Sequence, residues 1–156
     1  MKMSKTGLKS LAQWEGTELM VYKDVAGLPT IGVGHLLTQD ELSSGKIIIQ
    51  DRAVRYADGL TKVQVMQLLA QDIESVEKFV NDHVEVDLTT HQFDTLVSFT
   101  FNVGKFAFKN STLLKLLNKG NYDEIPIQLA RWVYSGGKKI RGLINRRKNE
   151  IALWNS

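Results

Sequence analysis

Apolar residues recur along this chain with two different periods, and the change of period divides it. Leu8, Leu11 and Ala12 precede Glu15 at i, i+3, i+4, i+7 spacing. That predicts a short helix over residues 1–16, with Glu15 on its apolar stripe and Gly16 as its stop. Residues 19–22 alternate and predict a strand. Residues 24–29 read as a turn, because Gly27 tolerates positive φ and Pro29 fixes φ. Residues 30–35 return as a second strand and complete a hairpin over 17–35. In that strand Thr30, Gly32 and Gly34 share one face, and Ile31, Val33 and His35 the other. A Thr-Gly-Gly face has nothing to pack, which suits close approach of a ligand or another backbone.

Residues 36–59 are turn-rich. Within them Lys46-Ile47-Ile48-Ile49 is either a third strand or a loop packed on a groove wall. This region is expected to be mobile and to form part of a binding rim. Beyond it the period becomes helical. Thr61 with Gln64, and Thr89 with Gln92, have capping-box spacing. Val65, Met66, Leu69, Ile73, Val76 and Val80 extend one long helix from 61 to about 83. Phe93, Leu96, Val97, Thr100 and Phe101 predict a buried helix stopped by Gly104. Ser111 caps a leucine-rich helix ending near Gly120. Asp123 is the expected N-cap of the next, with Pro126 in its first turn and a break at Ser135-Gly136-Gly137. Residues 143–154 read as a short helix or a pair of turns. The pattern gives an α+β fold in one domain over 1–156. A β-containing lobe of about 14–60 is joined by the long helix to a helical lobe of about 61–156, which also takes the first helix, 1–13.

Composition narrows the class. The chain is 43% hydrophobic and 24% charged, as in ordinary globular proteins. It has no cysteine, so neither a disulfide framework nor a thiolate metal site is available. No apolar run reaches signal-peptide or membrane-span length, so stable membrane insertion is not expected. A net charge of +3 is mild and is explained by solubility alone. The three histidines, His35, His83 and His91, lack zinc-site spacing, and no phosphate loop follows Gly32 or Gly34.

The chemistry concentrates between Trp14 and His35. Glu15 stands before a glycine, Asp24 follows nine positions later, and Thr30 six after that. Two carboxylates in different environments are the minimal equipment for general acid–base catalysis. A carboxylate at the end of an apolar face is partly desolvated, which favours its protonated form. The alternative is a helix-end Glu turned to solvent. The hairpin would bring Asp24 and Thr30 to one end, facing Glu15 across a groove.

Glu15-Gly16, Tyr22 with Asp24, and Thr30-Ile31-Gly32-Val33-Gly34-His35 resemble the signature of the phage-type lysozymes, the endolysins of glycoside hydrolase family 24. The resemblance continues through residues 99–104 and through 142–147 with Glu150, and so covers nearly the whole chain. It implies a lysozyme-like fold and a muramidase that hydrolyses the β-1,4 bond between N-acetylmuramic acid and N-acetylglucosamine in peptidoglycan. Glu15, Asp24 and Thr30 are the implied catalytic set. Gly32, His35 and Asn102 are expected near substrate, although His35 also reads as support for Thr30, and Asn102 as a helix cap. No metal or organic cofactor is required. The expected partner is the glycan strand, with no nucleic acid, and the protein is expected to be a monomer. It would wait in the host cytoplasm until a separate holin-type pore protein admits it to the periplasm and wall.

Two rivals use the same residues differently. A lytic transglycosylase would need Glu15 alone, and Asp24 and Thr30 argue against it. A non-catalytic glycan-binding module would not need the set. Residues 138–150 hold Lys138, Lys139, Arg141, Arg146, Arg147 and Lys148 against only Glu150. They read either as a solvated face with an internal ion pair or as a surface for acidic peptide stems and wall polymers.

Overall fold

A computed structural model describes all residues, Met1–Ser156. The chain separates into two compact units. One comprises Leu8–Glu74, and the other Met1–Gly7 with Ser75–Ser156. Helix α1 (Lys5–Glu15) contributes residues to both. The architecture is α+β.

In the unit of residues 8–74, β1 (Glu18–Lys23), β2 (Pro29–Gly32) and β3 (His35–Leu36) form an antiparallel sheet in that order. The expected 30–35 strand is not continuous. Ile31 pairs with His35, and Gly32 and Gly34 sit at φ 69° and 67°. The chain reverses between them in a conformation few side chains tolerate. The alternation of faces predicted across residues 30–35 therefore fails after Ile31. Gly32 is buried instead against α3 (Lys62–Asp72): a Cβ there would lie 3.5 Å from Val65.

Residues 36–59 are more regular than their turn-rich composition suggested. α2 (Gln39–Ser44) starts at a capping box, Thr38 with Glu41, and ends at Gly45. β4 (Lys46–Ile49) and β5 (Arg52–Arg55) form a separate hairpin. Its two-residue turn places Gln50 and Asp51 at φ 50° and 63°. Ile47 and Ile49 face inward, at 1% and 2% exposure, while Ile48 faces out. The core of this unit is Leu11, Ile31, Val33, Leu37, Ile47, Ile49, Val65, Leu68, Leu69 and Ile73.

The helical run expected from 61 to 83 is present in two pieces. α3 ends at Ile73 (φ −80°, ψ −9°), and α4 (Glu74–His83) follows. In the second unit α5 (Thr90–Val103) is buried along eight consecutive residues, Phe93 to Thr100. It packs against α9 (Arg141–Trp154), a full helix rather than a pair of turns. α6 (Lys105–Lys109), α7 (Thr112–Asn118), a 3-10 turn (Tyr122–Glu124) and α8 (Ile125–Leu129) complete the layer. Ser111 caps α7, as its sequence indicated. The helix expected to start at Asp123 begins instead after the 3-10 turn and stops at Leu129. Ser135-Gly136-Gly137 lies at the tip of a small hairpin, β6 (Tyr134–Ser135) with β7 (Lys138–Lys139).

Polar groups are buried where the second unit is held together. Glu150, fully buried, pairs with Arg147 at 2.9 Å and Arg146 at 3.2 Å, and accepts a 2.6 Å hydrogen bond from Ser98. Arg147 also lies 5.0 Å over the Phe99 ring and donates to Asn102. Asp94, buried, accepts hydrogen bonds from the backbone and hydroxyl of Ser4, and the Ser4 oxygen in turn accepts from Gly7 N–H at the start of α1.

Candidate active site

Glu15, Asp24 and Thr30 all lie in the unit of residues 8–74. Glu15 is the last residue of α1, partly buried, and the helix closes with Gly16 N–H donating to Ala12 carbonyl at 3.0 Å. Asp24 follows β1 and organises the turn into β2. Its Oδ1 accepts from Ala26 N–H at 2.9 Å and from Leu28 N–H at 2.8 Å. Its backbone closes the same turn through Gly27 N–H to Asp24 carbonyl and Asp24 N–H to Leu28 carbonyl, each 2.9 Å. Gly27 sits at φ 79°, the left-handed conformation this turn requires. One carboxylate oxygen thus fixes the loop, and Oδ2 takes no hydrogen bond from the protein.

Thr30 opens β2 and is 2% exposed. Its hydroxyl donates to Leu28 carbonyl at 2.9 Å. The proton is therefore committed, and the oxygen remains an acceptor toward anything else. Leu28 joins the two residues, since its N–H goes to Asp24 and its carbonyl takes Thr30.

Tyr22 ties Glu15 to this pair. It faces Thr30 across the β1–β2 ladder. Its phenol is pushed above its ordinary range, first by burial and then by the charges of Glu18, Asp24 and Glu15. The phenol therefore lies in the field of Glu15 and Asp24 together and is held in its neutral form. The β1–β2 register slips between Glu18 and Tyr22. Such bulges re-aim side chains beside active sites. Sequence reasoning used Tyr22 only as a landmark and did not single out Glu18. The signal for Tyr22 was its i, i+2 relation to Asp24, which puts both on one side of an extended strand.

His35 does not touch Thr30 by hydrogen bond. Nδ1 lies 2.7 Å from Asp72 and Nε2 2.9 Å from Glu41. Burial lowers its pKa, but the Asp72 hydrogen bond and charge, with those of Glu41, outweigh burial and raise it to about 9. His35 is a charged brace behind the hairpin. Gly32 packs on α3, as described. Asn102, exposed in α5, is inside the helix and does not cap it; it accepts a hydrogen bond from Arg147.

The model of the phage lysozyme family matches residues 12–150. The SAR-endolysin of Escherichia phage Mu is 39% identical over 147 residues, covering 94% of this chain and 77% of that protein. The endolysin of Salmonella phage P22 is 36% identical, with 99% and 98% covered. A crystal structure of a P22 lysozyme mutant superposes with a TM-score of 0.84 at 35% identity, over 100% of this chain and 99% of that one. The family match spans Glu15, the Asp24 turn, Thr30 and the buried Glu150 network, and the chain belongs to the phage lysozyme family.

Proposed function

We propose that the chain cleaves the β-1,4 bond between N-acetylmuramic acid and N-acetylglucosamine by a single inverting displacement. The chain is a lysozyme-type glycoside hydrolase acting on peptidoglycan; the residue roles are the proposal. Glu15 gives its proton to the glycosidic oxygen as the bond from the anomeric carbon breaks. A water attacks that carbon from the opposite face. It donates one hydrogen to Asp24 Oδ2 and the other to Thr30 Oγ1, which aims a lone pair at the sugar. Its proton then passes to Asp24.

The observation that carries this reading is the division of labour at Asp24 and Thr30. Asp24 Oδ1 and the Thr30 proton are spent on the loop. What each group still presents is an acceptor, and two acceptors orient one water. A hydroxyl without a base is a poor nucleophile, so the third member of the set positions water and does not attack. Passage from host cytoplasm to wall through a separate pore protein belongs to the same reading. No helix is long and apolar enough to cross a membrane.

Mass spectrometry of muropeptides after digestion tests the activity. Reducing N-acetylmuramic acid ends are expected. Anhydro ends would instead mark a transglycosylase, and free peptides an amidase.

A further inference from the structure

Residues Lys9 and Ala12 of α1, Thr17 and Leu19 beyond it, and Lys62 and Met66 of α3 line a groove of about 480 Å³. All six belong to the unit of residues 8–74, and the proposed mechanism uses none of them. The floor is hydrocarbon and thioether: Ala12, Leu19 and Met66. Val63 stands 66% exposed on the same helix as Met66, and Met20 52% exposed beside Leu19. The rim carries Lys9 and Lys62, and no carboxylate lines the groove. Neither lysine makes an ion pair or hydrogen bond, while the Thr17 hydroxyl is turned inward to Ala12 carbonyl at 3.4 Å.

This combination leaves two like charges unrelieved over an apolar floor. An ammonium on a flexible stem lays its methylenes along such a floor and keeps its charge at the edge. A ligand that relieves both features has an apolar chain and an anionic end. The lining has no amide or aromatic side chain, and the volume lies within the range of small-molecule pockets. We propose that this groove binds a monomeric single-chain anionic amphiphile, a long-chain carboxylate or monoalkyl phosphate, with its chain on Ala12, Leu19 and Met66 and its head between Lys9 and Lys62.

The test follows the methyl resonance of Met66 in methionine-labelled protein. Octyl, decyl and dodecyl phosphate are titrated below their micelle concentrations. Saturable shifts are expected, with affinity rising about fourfold per added methylene until the floor is covered. Lys9→Gln with Lys62→Gln should weaken binding at least tenfold. Lys138→Gln with Lys139→Gln should leave it unchanged, and octyl glucoside should bind more weakly than octyl phosphate. Both lysine pairs are exposed, so these variants are expected to fold, and binding is read without reference to glycan cleavage. The proposal is overturned by any of three results: no saturable shift, equal loss from both lysine pairs, or binding to anionic vesicles alone.

Discussion

Nδ1 of His35 lies 2.7 Å from Oδ2 of Asp72, joining β3 to the last turn of α3. The opposite ring nitrogen reaches Glu41 Oε1 at 2.9 Å, and the same oxygen accepts Thr38 N–H in the cap of α2. Carboxylates only accept, so both ring nitrogens donate and the imidazole is charged. With the side chain 13% exposed, solvent screens the arrangement little.

This relationship predicts a pH dependence of stability. The His35 pKa is raised from 6.5 to about 9 on folding. A raised pKa contributes stability that is complete below 6.5 and is lost as pH rises through about 9. The contribution is of order 2–3 kcal/mol. Urea unfolding of wild type and His35→Asn should differ by about that amount at pH 6 and converge by pH 10. A constant difference across this range would remove the charge from the explanation.

The β4–β5 turn predicts a stabilising substitution. Two-residue turns with both φ positive favour Asn-Gly, and this one carries Gln50-Asp51. Gln50→Asn with Asp51→Gly should raise stability by about 1 kcal/mol, read as a later urea midpoint with unchanged m. An earlier midpoint would show that other contacts hold this turn.

Glu150 predicts the opposite. Glu150→Gln keeps its shape but removes the buried negative charge that Arg146 and Arg147 both pair with. Breaking a buried pair in this way costs roughly 3–5 kcal/mol, and the thermal midpoint should fall accordingly. A loss below about 1 kcal/mol would mean that other partners carry those guanidinium groups.

The pattern of what was legible follows from distance along the chain. Glu15, Asp24 and Thr30 lie within sixteen residues. The helix stripe and the turn that hold Glu15 and Asp24 are local features, while the grouping of the three comes from the family resemblance. The partners of His35 are six and 37 residues away, and no local period marks them. Thr38 and Glu41 carry the same capping signature as Thr61 and Gln64, yet α2 has no buried residue and so no apolar run to announce it. In α9 the buried positions include Arg146, Arg147 and Glu150, so a hydrophobic period understates the helix. The 30–35 strand misled for a different reason. Alternation assumes extended backbone, and two glycines at positive φ break it.

Thr30 separates positioning from structure. Thr30→Val removes the acceptor offered to water and also one of the two hydrogen bonds that Leu28 carbonyl accepts, leaving the one from Asp24 N–H. The second effect costs about 1 kcal/mol of stability. The first should lower kcat roughly 10- to 100-fold with KM little changed. Thr30→Ser restores both and should recover most of kcat. A Ser variant as slow as Val would assign Thr30 to packing.

The central claim is that water, held by Asp24 and Thr30, attacks the anomeric carbon while Glu15 supplies the proton. Inverting sites leave roughly 6.5–9.5 Å between carboxyl groups for that water, and retaining ones about 5–5.5 Å. Proton NMR of a soluble peptidoglycan fragment, recorded before mutarotation, identifies the anomer formed first. The α-anomer is expected, with no signal from a Glu15→Gln protein that remains folded. A first-formed β-anomer, or a sugar ester trapped on Asp24, would contradict it.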